Sequence, residues 1–223
     1  VVFLNEITIS TLPEEFYLLT PIYTNTEQAK SIQPIIYSVS KTEKKNFLDQ
    51  LPLGHYLCSF EPLEEDTICA INIYEEYLII ELINKQSEGY IGYLEELLNV
   101  PFVLPPRRLK EKHQTNLRLG VDCAEMAIYG RRRQGYTIPY CGPRHLMEYL
   151  ISTDKVEAGT IISFGNNYQI SVIYEDRGKR GILDDEDLLI HAYKDKAEIN
   201  SLGESGLNKY PFRLYQWKNI IAK

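Results

Sequence analysis

The chain has 223 residues, 44% of them hydrophobic, enough to bury one large core or two of ordinary size. Its net charge of −7 is uneven: residues 1–86 carry 5 basic and 13 acidic side chains, residues 87–223 carry 19 and 18. An acidic first part and a balanced second part argue against nucleic acid as the main ligand, because phosphate binding requires a clustered basic surface. No stretch approaches the roughly 18 uninterrupted apolar residues of a membrane span, so no span is expected in this chain. The first residues, VVFLNEITIS, lack a basic region followed by a long apolar run. Their start at Val is compatible with a processed or trimmed chain, including an exported one.

Residues 1–86 hold short alternating or β-branched runs at Glu6 to Ser10, Phe16 to Tyr23, Ile35 to Ser40, His55 to Phe60, Ile68 to Ile73 and Tyr77 to Ile83. Turn chemistry separates them, as at Leu12-Pro13, Leu51 to Gly54 and Glu61-Pro62, which is the pattern of an antiparallel sandwich or barrel. A small all-β module over 1–86 is therefore expected, with binding as its candidate role. From Ser87 the period changes. Tyr90, Tyr93, Leu94, Leu97 and Leu98 recur at helical spacing and the helix must end before Pro101, so a second domain over 87–223 is expected to start here.

Three prolines make residues 101–108 an extended, irregular approach to the next element. A second helix is predicted from about Asp122 to Gly135, where a glycine suits the left-handed residue after a helix end. Arg131, Arg132 and Arg133 would fan around its axis and form a solvated face rather than one basic patch. A third helix is predicted over Pro143 to Ser152, and strands at about 159–164, 168–175 and 187–193. The order is that of an α+β fold, with a helix laid against an antiparallel sheet. The acidic run Asp184 to Asp187 lies in a long loop between the last two strands. It lacks the glycine and spacing of a calcium loop and reads as solvated.

The four cysteines, Cys58, Cys69, Cys123 and Cys141, show neither CxxC spacing nor a Cys/His ladder, so no metal site and no cofactor are expected. Cys58 and Cys69 fall on neighbouring predicted strands and read as two buried thiols, or as a disulfide in an oxidising compartment. Cys123 differs. It opens a predicted helix directly after Asp122, which can cap it, and unpaired N–H groups at a helix N-terminus favour a thiolate. The same position also suits a small buried residue that packs the helix on a sheet.

Four segments in order carry a resemblance: Leu98 to Val103, Gly120 to Ala124 with Tyr129 to Pro139, Ala158 to Gly165 with Gln169 to Tyr174, and Leu189 to Ala192. Together they resemble the NlpC/P60 family of papain-like cysteine hydrolases over about residues 95–195. The resemblance implies a nucleophile helix on an antiparallel sheet, with Cys123 as nucleophile, position 169 as its base and His191 as the group that orients the base. It also places Phe102 and Asp122 in the substrate site and implies a cell-wall stem peptide as substrate, in an extracytoplasmic setting. Position 169 is Gln, which takes up no proton near neutral pH. His191 acting directly, an inactive binding descendant, an altered residue, or a shifted strand alignment with His113 or His145 as base all remain open. Phe102 in place of a tyrosine and Leu104-Pro105 in place of Trp-Gly-Gly imply a drier pocket wall.

Overall fold

The structure, a computed structural model, describes residues 2–3, 16–19, 21–23, 32–34, 37–39, 50–59, 79–106, 108–109 and 112–219. It is a mixed fold of antiparallel sheet with few helices, broadly α+β. The strands proposed at Glu6 to Ser10 and Ile68 to Ile73, together with any Cys58–Cys69 pairing, lie outside the described residues.

In the first part, β1 (Val2–Phe3), β2 (Phe16–Leu19), β3 (Pro21–Tyr23), β4 (Ile32–Pro34), β5 (Tyr37–Val39), β6 (Gly54–Ser59) and β7 (Ile79–Asn84) are strands. Five of them form a sheet in the order β1-β7-β6-β2-β5, and β3 pairs with β4. Within the run from Phe16 to Tyr23, β2 and β3 thus belong to different sheets.

Helix α1 (Gly89–Glu95) follows, then the short pair β8 (Arg108–Leu109) and β9 (Lys112–His113), and then helix α2 (Cys123–Arg133). The two helices approach so closely that a Cβ on Gly130 would lie 2.7 Å from Leu94 Cδ2 and from Tyr90 Cε2. Glycine is what that contact requires, and the Tyr90 hydroxyl donates to Ala127 O at 3.1 Å across it.

The rest of the chain builds a six-stranded antiparallel sheet in the order β10 (Leu150–Ser152), β15 (Phe212–Trp217), β11 (Ile161–Phe164), β12 (Gln169–Glu175), β13 (Leu188–Tyr193), β14 (Lys196–Ser201). Helix α3 (Pro143–Leu146) precedes β10, and α4 (Leu202–Ser205) follows β14 with a Ser201/Glu204 capping box. The helix expected over Pro143 to Ser152 stops early. After Leu146 comes one turn of 3-10 helix, and Leu150 to Ser152 pair with Tyr215 to Trp217 as a strand. A tertiary partner overrides a local preference here, since β15 is more than sixty residues away in sequence.

Alternation splits the sheet into two faces. On β12 and β13, Ile170, Val172, Ile190 and Ala192 pack in the same core as Cys123, Ala124, Ala127 and Ile128 of α2. Ile173 and Leu189 pack on the other side with Ile162, Phe164, Leu202 and Leu207. The register Val172↔Ile190 and Ile173↔Leu189 fixes this assignment. The sheet thus has a helix-facing core and a second core beneath α4.

Residues 99–103 stitch the parts together. Phe102 N donates to Asp195 O at 2.9 Å, Ala197 N to Val100 O at 2.8 Å, and Val121 N to Pro101 O at 3.0 Å. His55 N donates to Leu98 O at 2.8 Å. The far end of α2 is held by a buried polar chain: Arg118 bonds to Glu81 of β7 and to the Tyr129 hydroxyl, which donates to Glu96 at 2.8 Å. No described helix is long and apolar enough to cross a membrane.

Candidate functional site

Cys123 is the first residue of α2, and Asp122 is its N-cap, accepting the Glu125 N–H at 2.8 Å. The capping role expected of Asp122 is therefore present. Its carboxylate is buried, and burial pushes it up to about 6 against hydrogen bonds from Glu125 and Ala124. Behind it, Glu125 accepts from Thr115 Oγ1 at 2.6 Å and is pushed up to about 8, first by burial and then by Asp122.

The Cys123 thiol is only 6% exposed. Burial and the adjacent Asp122 carboxylate push it up to about 12, against hydrogen bonds from the backbone N–H groups of Ile170, Ala124 and Cys123 itself. The helix terminus favours a thiolate, as the sequence suggests, but desolvation and a like charge outweigh it. At neutral pH the side chain is a thiol.

A cavity of about 710 Å³ opens beside this thiol. Besides Cys123, its walls come from four places: Phe102 and Leu104 at the end of the stitching segment, α3 from its cap Gly142 to His145, the Gly165 to Gln169 link between β11 and β12, and Tyr193 with Lys194. Gly165, Asn166 and Asn167 all hold positive φ, at 60°, 57° and 65°. Glycine and asparagine tolerate that region best, and so can form the tight link from Phe164 to Gln169.

Of the residues singled out by sequence, Cys123, Gln169 and Phe102 border this cavity together. Gln169 is buried, and its Nε2 donates to Ile170 O and Ala192 O, each at 3.1 Å. Its strand partner is Phe164, so by alternation it begins β12 on the face away from α2. The β12 residues in the core that holds Cys123 are Ile170 and Val172, and neither has acid–base chemistry.

His191 lies between Ile190 and Ala192, both in the helix-facing core, so its ring belongs to the opposite face. There its Nε2 shares a 2.8 Å hydrogen bond with Asn200 Oδ1. Asn200 Nδ2 donates to Glu198, which leaves Oδ1 to accept and puts the imidazole proton on Nε2. Burial lowers the pKa of His191, so the ring is held neutral. His191 does not border the cavity.

Two other histidines bear on the site. His113 stacks on Tyr140 at 4.3 Å and lies 3.5 Å from Glu125 Oε2. His145 is exposed and borders the same cavity as Cys123. Sequence reading placed His145 among the alternatives without marking it as a wall residue, because the fold of residues 142–146 against the hairpin turn is set by tertiary contacts. Arg144, Tyr168 and Lys194 were missed for the same reason. Lys194 does have a local signal, the charged run Lys194-Asp195-Lys196 directly after a predicted strand, which in the structure is a tight turn with φ 60° at Lys194.

The arginine run behaves as three separate side chains. Arg131 lies over Tyr136 at 3.4 Å, Arg132 over Tyr140 at 4.8 Å, and Arg133 over Tyr93 at 5.0 Å while also pairing with Glu96. The acidic loop closes on its own backbone: Asp184 accepts from Lys179 N and Glu186 N, and the buried Asp187 accepts from Arg177 N and Asp184 N. Among the described residues, no group of three or more His, Cys, Asp or Glu side chains is arranged to hold a metal ion.

No protein-family model matches this chain, and neither the curated proteins nor the solved structures contain a match to it.

Proposed function

We propose that this chain is a ligand-binding protein on a papain-like, NlpC/P60-type frame, with an all-β module over 1–86 and the thiol-bearing domain over 87–223. In it, Cys123 keeps the place of a nucleophile without being armed as one. The observation that carries the reading is that Cys123 sits in the helix-facing core beside the backbone N–H of Ile170 while His191 lies on the opposite face of the sheet, where a thiol hydrolase needs a base within reach. A buried thiol raised to about 12 is suited to lining a wall. The cavity is within the roughly 300–1,000 Å³ range of small-ligand sites.

A second reading is hydrolysis of an amide in a cell-wall stem peptide through a Cys123 acyl-enzyme. The presence of His145 on the same cavity favours it, since a ligand could draw that exposed ring toward the thiol. Incubating the protein with peptidoglycan stem peptides and following both cleavage and binding by mass spectrometry and calorimetry separates the two. The binding reading expects intact peptides and an affinity that survives Cys123→Ala. Cleavage that disappears in both Cys123→Ala and His145→Ala establishes the hydrolase instead.

A further inference from the structure

The cavity beside Cys123 has a charge opposite to that of the molecule. The chain carries a net −7, yet Arg144, Lys194 and His145 border the cavity and no Asp or Glu does. Asp195 follows Lys194 in the chain but is not part of the wall. Lys194 Nζ lies 5.1 Å from the Tyr193 ring centroid, and Arg144 is exposed. The remaining wall is apolar and aromatic: Leu104 is 66% and Tyr168 73% exposed at the rim, with Phe102 and Tyr193 half-buried.

Two cations with no carboxylate beside them in the cavity wall, next to uncovered apolar side chains, set two conditions on an occupant. One end is expected to be anionic, because a cation is repelled by Arg144 and Lys194 and a neutral acceptor gains less from them than an anion does. The other must be apolar, since Leu104, Tyr168 and Phe102 offer it no strong polar partner and gain from being covered. We infer that the cavity takes a small organic anion, a carboxylate carried on an aromatic or branched apolar body, with the carboxylate at Arg144 and Lys194 and the body against Phe102, Leu104 and Tyr168. This rests on the binding reading above and deepens it.

The test compares N-benzoyl-L-phenylalanine with its neutral amide, read by calorimetry and by NMR shifts of the Gly165 to Gln169 amides. At about 50 mM salt the carboxylate is expected to bind at least about tenfold more tightly than the amide, and about 0.5 M salt should erode that advantage. The double variant Arg144→Gln, Lys194→Gln should lose most of the preference and keep the weak binding of the amide. Both side chains are exposed, so the fold should tolerate the changes. Equal affinity for acid and amide would overturn the anion assignment and leave the cavity standing as a binding site. If neither compound shifts those amides at about 10 mM, far above the range of a specific site, the ligand class and the binding reading both fall.

Discussion

The two faces of the six-stranded sheet each hold a residue that sequence reading joined into one site, and they treat it differently. On the helix-facing side, Cys123 shares a core with Ile170 and Ala192, and burial keeps the thiol protonated. On the opposite side, His191 is fixed by Asn200 and kept neutral by burial. Strand alternation is what separates them: in a period of two, a shift of one residue moves a side chain through the sheet. A helix thiol and a strand histidine assigned to one site can therefore lie on opposite sides of a wall.

Removing the clamp that holds the helix-facing side is expected to have the largest effect. Arg118→Ala strips the partner from Glu81, which burial alone would raise but which His55 and Arg118 hold at about 2, and from Tyr129. A loss of about 3–5 kcal/mol in chemical denaturation is expected for breaking such a buried pair. A loss under about 1 kcal/mol would mean that α2 is positioned by its apolar face alone.

Gly130→Ala comes next. The added methyl meets Tyr90 and Leu94 at 2.7 Å, so the helix pair must part and about 1–3 kcal/mol should be lost, even though alanine favours helix. Glu125→Gln sharpens the comparison through pH. A carboxyl whose folded value is raised from 4.5 to about 8 makes the folded state bind more protons, so it costs stability as pH climbs through that window. The variant should be more stable than the parent at pH 9, by on the order of 2 kcal/mol, and the gain should vanish near pH 4.

The smallest effect belongs to the far face. His191→Leu should cost about 1 kcal/mol at pH 7 by leaving Asn200 Oδ1 without its donor. Because the folded pKa of His191 is lowered, stability is lost as pH falls below 6.5, and the variant should lose less of it than the parent does. Thermal melts of both proteins from pH 4 to 8 give this difference directly. A changed Cys123 reactivity in His191→Leu would break the comparison, since it would couple the two faces.

Much of the helix-facing side was legible. The cap at Asp122, the helix from Cys123 and the strand cores β11, β12 and β13 follow from local chemistry: a capping acid, helical spacing and β-branched runs. β14 and β15 were not, because KAEINS and FRLYQW carry their strand identity in the neighbours they pair with. Gln169 showed the same limit at the site. Its place next to Ile170 is visible in sequence, but which of the two faces the core that holds Cys123 depends on the register set by Phe164 and Leu189.

The most direct test of the account is the pH–rate profile for alkylation of Cys123 by iodoacetamide, with peptide mapping to separate it from Cys58, Cys69 and Cys141. With the thiol pushed up to about 12, the rate should still be rising at pH 9 and should not change in His145→Gln. A plateau below about pH 7 that is lost in His145→Gln would contradict the account and show an armed nucleophile.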